Sequence, residues 1–179
     1  PLEMDTRLYD KHESTFKALV TTPAITEPEI ADVCMTHVYM DGTDGARHAG
    51  RPNGPAAAAF CVIHELNSGE ERVGGFAGSI VHLYPSHCNF LGAEKALNGT
   101  AEVQASIMAS LWILQCPCRK LMLRYDAQYA ENIANAIAQP RTNVKLAHLA
   151  SALRKLAQCD KDVQSLHVTS HSGHPWNAM

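Results

Sequence analysis

The order of apolar runs along the sequence predicts an α/β fold in which helices cover a mixed five-stranded sheet. Three strand-like runs come first, and helical patterns then alternate with two further strand-like runs, in the order βββαβααβ. Strands joined by short turns favour antiparallel pairing, and strands separated by helices favour parallel pairing. The chain has 179 residues, 46% of them hydrophobic, which suffices for one domain with a substantial core.

The first three strands are predicted by runs of β-branched, aromatic and other apolar residues that end at turns. The first run, 33–40, stops at Asp41, and the second, 59–66, stops at a short polar turn. The third, 72–83, follows that turn closely and contains glycines that weaken it. Residues 84–99, with Pro, Asn and Gly, form an irregular connection.

The helices are predicted by apolar residues that recur every three or four positions. In residues 100–115 this stripe consists of Val103, Ile107, Leu111 and Leu114. Residues 128–137 are rich in Ala and Asn and are followed by Pro140, which favours a second helix. A third helix follows, with Thr142 or Asn143 as its cap. Its apolar stripe consists of Leu146, Leu149, Leu153 and Leu156.

Two more strands complete the predicted sheet. Residues 120–125 form an apolar run that reaches Asp126, and residues 165–170 form a last β-like run. We expect residues 33–179 to form one domain. Residues 1–32 show no sustained period, so we expect them to be an N-terminal extension or linker.

Composition limits the classes of partner. The formal charge of −3 gives no general attraction for a polyanion, so nucleic-acid binding must rely on local basic groups or on metal. The longest apolar stretch, 107–114, is far shorter than the roughly 20 residues of a membrane span, so we expect none. Six cysteines without a secretion signal favour reduced thiols and an intracellular, reducing compartment, cytoplasm or nucleus.

Three carboxylates stand where a metal site could form. Asp41 and Asp126 each follow an apolar strand-like run, and Glu102 lies in the first turn of the first helix. Strand ends in a core rarely carry unpaired carboxylates, and Mg²⁺ prefers oxygen ligands. The alternative is that these residues serve an Asp-Gly turn, a helix dipole and a helix cap. Spacing alone leaves both interpretations open.

Five segments together resemble the motifs of one enzyme family. They are YMDGT at 39–43, NGTAEVQA at 98–105, RYDAQY at 124–129, NVKL at 143–146 and HVTSHSGHP at 167–175. In the same order, they resemble motifs of the type 1 ribonucleases H, which include domains associated with reverse transcriptases. The resemblance covers about residues 35–179. It implies a ribonuclease H-like sheet of three antiparallel strands followed by parallel strands, flanked by helices.

The resemblance also implies a metal-dependent chemistry. Asp41, Glu102 and Asp126 would hold two Mg²⁺ ions, with Mn²⁺ as a substitute, on either side of the scissile phosphate. One ion would activate water, and the other would stabilise the leaving 3′ oxygen.

Further residues are implied in catalysis and substrate contact. His171 would move protons or help product release; without the resemblance, it reads as a plain loop histidine. Asn98 and Gln128 would contact the minor groove of the hybrid, although a helix cap and a solvent-facing amide are equally open from the residues alone. Asn53 is a further candidate amide on the substrate side.

The implied function is that of an endonuclease hydrolysing the RNA strand of RNA–DNA hybrids. We expect a monomer, as one domain of a retroelement polyprotein with a fused or associated reverse transcriptase domain. Two alternatives are a catalytically decayed ribonuclease H-like module that scaffolds or binds nucleic acid, and a nuclease of the same fold that acts on DNA.

The sequence departs from the family pattern in several respects, and among them Ala56 to Ala59 replace the usual glycines and the segment from Asp41 to Glu102 is longer than usual. A fourth carboxylate would lie two residues after Met179, and we expect the last helix of the fold to be missing from this chain. Ala127 stands where the family has Ser. The segment between Asp126 and Val144 leaves no room for the family's basic loop. A scattered basic set, interpreted as a solvated face, comprises Lys145, Arg154, Lys155 and Lys161.

Overall fold

The sheet is the frame of the described part of the chain. A computed structural model describes residues 30–43 and 55–169. Its strands are β1 (Val33–Thr43), β2 (Ala57–Leu66), β3 (Glu71–Ile80), β4 (Lys120–Tyr125) and β5 (Asp162–His167). They form one five-stranded sheet in the order β3-β2-β1-β4-β5.

Strand directions place several strand ends at one edge of the sheet. β2 pairs antiparallel with both β1 and β3, whereas β4 pairs parallel with β1 and β5. The carboxyl ends of β1, β3, β4 and β5 therefore lie at the same edge. Three antiparallel strands followed by parallel ones confirm the predicted fold class.

Three helices pack on this sheet and on one another. They are α1 (Asn98–Gln115), α2 (Gln128–Ala134) and α3 (Val144–Asp160). One buried cluster joins α1 to the sheet and includes Val38, Val62, Ala105, Ala109, Ile113 and Leu123. A second cluster joins the three helices and includes Ala101, Ile107, Ile133, Leu146 and Ala150. Because α1 is covered on two sides, it is the central helix, and its alanines let it lie close to its neighbours.

Two predicted helix stripes were correct only in part. Val103 and Ile107 are buried, but Leu111 is 39% exposed. In α3 the buried residues beyond Leu146 include Ala150, Arg154 and Ala157, whereas Leu156 is 55% exposed. Small alanines allow α1 and α3 to approach closely, so the contact line does not follow the largest side chains.

Several element bounds differ from the prediction, and the third strand, for example, is Glu71–Ile80 rather than 72–83. The last strand is Asp162–His167 rather than 165–170, because this mostly exposed edge strand alternates polar residues and lacks the apolar run of a central strand. The second helix ends at Ala134 rather than near residue 137, and Ala136 adopts a left-handed backbone with φ 58°. The six cysteines are free thiols, as predicted. None of the helices in the described ranges combines the length and hydropathy that a membrane span needs.

Candidate active site and metal centre

Two neighbouring parallel strands bring Asp41 and Asp126 together. Asp41 lies near the end of β1, and Asp126 directly follows β4. Their strands are paired in register as far as Tyr39 and Arg124, two residues before each carboxylate. The parallel register therefore sets the two aspartates side by side at the sheet edge.

Glu102 reaches this edge because α1 packs tightly against β1 at Gly42. A Cβ atom on Gly42 would lie 2.6 Å from the carbonyl carbon of Ala101 and closer still to the backbone nitrogen of Glu102. The Gly42 N–H also donates a 2.7 Å hydrogen bond to Oδ1 of Asp41. A glycine at this position thus permits the first turns of α1 to meet the strand that carries Asp41.

The three carboxylates form one cluster. A ligand oxygen from each of Asp41, Glu102 and Asp126 lies within 4.8 Å of those of the others. Glu102 is buried, whereas Asp41 and Asp126 are half-buried. Burial, together with the negative charges of Asp41 and Asp126, raises the pKa of Glu102 to about 8, and the Gly42 N–H acts in the opposite direction. Three ionised carboxylates at this distance repel one another unless a cation lies between them.

The donor set fits a hard divalent cation. Within the described ranges, Oδ1 of Asp126 is buried and has no hydrogen-bond partner, which leaves an oxygen lone pair available as a ligand. All three side chains offer carboxylate oxygen, the donor that Mg²⁺ and Mn²⁺ prefer. The partial exposure of Asp41 and Asp126 leaves one side of the cluster open to a substrate.

Two of the other four predicted site residues lie in the described part of the chain. Asn98 is the first, exposed residue of α1, and the cap position is Leu97, so Asn98 is not the helix cap. Gln128 begins α2; its Oε1 accepts a 3.3 Å hydrogen bond from the Tyr125 hydroxyl, and its Nε2 donates to Asn132 at 3.0 Å. Asn53 and His171 lie outside the described residues.

His167 is a residue near the cluster that sequence reasoning missed. Its Nε2 lies 3.1 Å from the backbone oxygen of Asp126, and its ring meets Tyr125 edge-on with centroids 5.5 Å apart. The signal was present, because His167 is the last residue of β5 and pairs with Tyr125 of β4. The predicted strand, 165–170, included His167 but did not give its pairing with Tyr125.

A buried ion pair behind the site corrects the interpretation of the basic set. Arg154 is 1% exposed, and its Nη1 lies 2.7 Å from Oε1 of Glu131. The guanidinium also donates to Ser106 of α1 and Ser165 of β5, at 3.1 and 3.3 Å. Burial raises the pKa of Glu131, but the charge and hydrogen bond of Arg154, together with the hydrogen bonds of Ser165 and Asn135, lower it below its usual value, so the pair is ionised at neutral pH. Arg154 thus ties α1, α2, α3 and β5 together.

Lys161 is buried as well, so the basic set is not one solvated face. It donates hydrogen bonds to the carbonyl groups of Ile113 and Cys116 near the end of α1. Lys145 and Lys155 are exposed, as the interpretation required. The spacing of Arg154 from Leu146, eight residues along one helix face, was the sequence signal for its burial.

Asn143 occupies the predicted cap position of α3 but does not cap that helix through its side chain. Its backbone is left-handed, with φ 58°. Its Oδ1 accepts hydrogen bonds from the N–H groups of Glu94 and Lys95, at 2.7 and 3.0 Å, and its Nδ2 donates to Thr100 at 2.8 Å. Asn143 therefore fastens the segment that precedes α1 to the start of α3.

Comparison with known proteins gives structural matches alone. No family model and no curated protein matches the sequence. Ribonuclease H1 from the halophilic archaeon Halobacterium salinarum matches with a TM-score of 0.53 and 22% identity, over 80% of this chain and 92% of that chain. LC11-RNase H1, solved in complex with an RNA/DNA hybrid, matches with a TM-score of 0.50 and 15% identity, over 79% and 91%.

A segment of a viral protein matches too. The protease-reverse transcriptase of prototype foamy virus has a TM-score of 0.51 and 16% identity, over 88% of this chain and 21% of that chain. At these identities the likeness concerns the fold. The described residues of this chain have a ribonuclease H-like fold.

Proposed function

We propose that this chain is a metal-dependent endonuclease that hydrolyses the RNA strand of RNA–DNA hybrids. The observation that carries the proposal is the convergence of Asp41, Glu102 and Asp126 at one open sheet edge. Shared fold alone does not determine activity, so the argument depends on this cluster and its chemistry. The fold likeness to proteins named as ribonucleases H supports the choice of substrate.

Asp41, Glu102 and Asp126 would hold two divalent ions, Mg²⁺ or Mn²⁺ in its place. When bound, the ions supply an activated water and stabilise the leaving 3′ oxygen. Glu102 is the buried member of the three, and its pKa in the metal-free protein is raised to about 8, so ion binding requires its carboxyl group to lose its proton. Asp126 offers its unpartnered Oδ1 from the strand edge.

Polar residues around the cluster would orient the hybrid. Asn98 and Gln128 begin the helices that follow the sheet edge, and their amides suit the 2′-hydroxyl groups and base edges of a minor groove. Asn53 is proposed as a further amide on the substrate side, and His171 as a proton carrier that also helps product release.

The proposed setting is a monomeric domain beside a reverse transcriptase, fused or associated, in the reducing interior of a cell. The fold likeness to a segment of a viral protease-reverse transcriptase supports the association with a reverse transcriptase. The free thiols support a reducing compartment.

The test is cleavage of a labelled RNA–DNA hybrid, with duplex DNA and duplex RNA as competing substrates, in Mg²⁺ or in EDTA. Asp126→Asn should lower the rate at least about 100-fold, because even indirect supports of metal ligands contribute about 10- to 100-fold. Asp162→Asn is the matched control, since Asp162 is an exposed carboxylate at the opposite end of the parallel strands.

Each outcome of this assay decides between functions. Hybrid cleavage that requires Mg²⁺ and is lost in Asp126→Asn would support the proposal. Equal cleavage of duplex DNA would indicate a DNA nuclease instead. Hybrid binding without cleavage under any divalent metal would indicate a decayed module, and activity unchanged by EDTA and by Asp126→Asn would refute a metal mechanism.

A further inference from the structure

The connection between β3 and α1, residues 81–97, starts and ends near the first turns of α1, the helix that carries Glu102. Ala57 of β2 pairs with both Thr43 of β1 and Ile80 of β3, so β3 ends at the same sheet edge as the strand that carries Asp41. The connection returns to the cluster at its other end, because Leu97 is only five residues before Glu102.

Hydrogen bonds and packing hold both ends of this connection in place. At its start, Nε2 of Gln104 donates to the Ile80 carbonyl at 3.1 Å, and the Val81 N–H donates to Ala56 at 2.7 Å. At its end, Asn143 accepts from two backbone N–H groups. Gly92, with φ +97°, packs so closely on α3 that a Cβ there would lie 2.9 Å from Cβ of Lys145. The connection is therefore anchored to α1 and α3.

Between these anchors, residues 82–89 present aromatic surface to solvent. Tyr84 is 76% exposed. The rings of His82 and His87 stack with centroids 3.5 Å apart and planes inclined by 10°. A 3.1 Å hydrogen bond from the Asn89 N–H to Nδ1 of His87 fixes the second ring. The segment therefore offers preformed flat surfaces without a bound partner among the described residues.

We propose that residues 82–89 are a substrate-contact segment, in which Tyr84 and the His82–His87 pair pack against the sugars exposed along the minor groove of the hybrid beside the cleavage site. This inference rests on the proposed function. A paired hybrid keeps its base faces inside the duplex, so an aromatic ring contacts it through the sugars and base edges of the minor groove rather than through phosphate charge. That mode suits a chain of formal charge −3, which lacks a general attraction for phosphates. The segment would let the domain bind the hybrid without a basic loop.

The test is hybrid binding by fluorescence anisotropy in Mg²⁺, measured in the Asp126→Asn background so that the hybrid stays intact. Tyr84→Ala should raise the Kd at least about fivefold, the effect of losing one tyrosine contact worth about 1 kcal/mol. Tyr84→Phe should retain affinity because it keeps the ring. Leu156→Ala is the control, since Leu156 is also exposed but lies near the far end of α3.

The salt dependence of hybrid binding distinguishes the contribution of ring packing from that of phosphate neutralisation. The slope of log affinity against log salt should be unchanged in Tyr84→Ala, because the tyrosine neutralises no phosphate. Affinity equal to that of the background protein, or a loss accompanied by a shallower slope, would overturn this inference while leaving the proposed function intact. If the background protein fails to bind the hybrid at all and the wild type fails to cut it, the proposed function itself fails.

Discussion

The contact between Gly42 and α1 makes a specific prediction for Gly42→Ala. The added Cβ would lie 2.6 Å from the carbonyl carbon of Ala101 and 2.9 Å from its Cβ. Ordinary carbon contacts are about 3.5–4.0 Å, so α1 must retreat by about 1 Å. Overpacking of this kind costs about 1–3 kcal/mol. A displacement of about 1 Å at Glu102 should also lower the rate of hybrid cleavage about 100-fold.

Gly78→Ala is the matched control for this substitution. A Cβ on Gly78 would meet the Ala58 carbonyl oxygen at 3.5 Å and the Ala59 Cβ at 3.8 Å, which are ordinary contacts. Urea unfolding, Mn²⁺ titration and hybrid cleavage should therefore be affected by Gly42→Ala and nearly unaffected by Gly78→Ala. A Gly42→Ala protein with wild-type stability, metal affinity and rate would refute the argument that this glycine positions Glu102.

Three further predictions concern the buried charges. Arg154→Met should lower the free energy of unfolding by about 3–5 kcal/mol, because it leaves Glu131 buried without its cation; a urea-measured loss below about 1 kcal/mol would contradict this. Since the folded-state pKa of Glu102 is about 8, metal-free stability should fall as pH rises from about 4.5 to 8, and Glu102→Gln should remove this fall; parallel pH profiles of both proteins would argue otherwise. Mg²⁺ at 100 times its Kd should stabilise the wild type by about 2.7 kcal/mol, seen as a higher Tm, but not Asp126→Asn; equal shifts would exclude Asp126 as a ligand.

Central strands could be predicted from sequence because burial on both faces requires an unbroken apolar run. For this reason both ends of β4 were predicted correctly. The observed β1 continues only three residues beyond the predicted end at residue 40, through Gly42 to Thr43. β5 was misplaced because an exposed edge strand needs no such run, so its polar residues resembled a loop.

The family resemblance grouped Glu102 with Asp41 and Asp126, but residue spacing alone did not show how Glu102 reaches the two aspartates. Strand ends located Asp41 and Asp126, whereas the position of Glu102 depends on the close approach of α1 at Gly42, a three-dimensional contact. The burial of Arg154 was missed because its partner Glu131 lies 23 residues away on another helix. The roles of Asn53 and His171 stay predictions.

The most direct test of the proposed centre is the Mg²⁺-dependent rate of hybrid cleavage by Glu102→Gln. This substitution keeps the shape of the side chain and removes an ionisable carboxyl group whose pKa in the metal-free cluster is raised to about 8. We predict a protein at least as stable as the wild type at pH 8 without metal, with a cleavage rate lowered at least about 100-fold. Cleavage at the wild-type rate by a stably folded Glu102→Gln protein would contradict the assignment of the three carboxylates as the catalytic metal site.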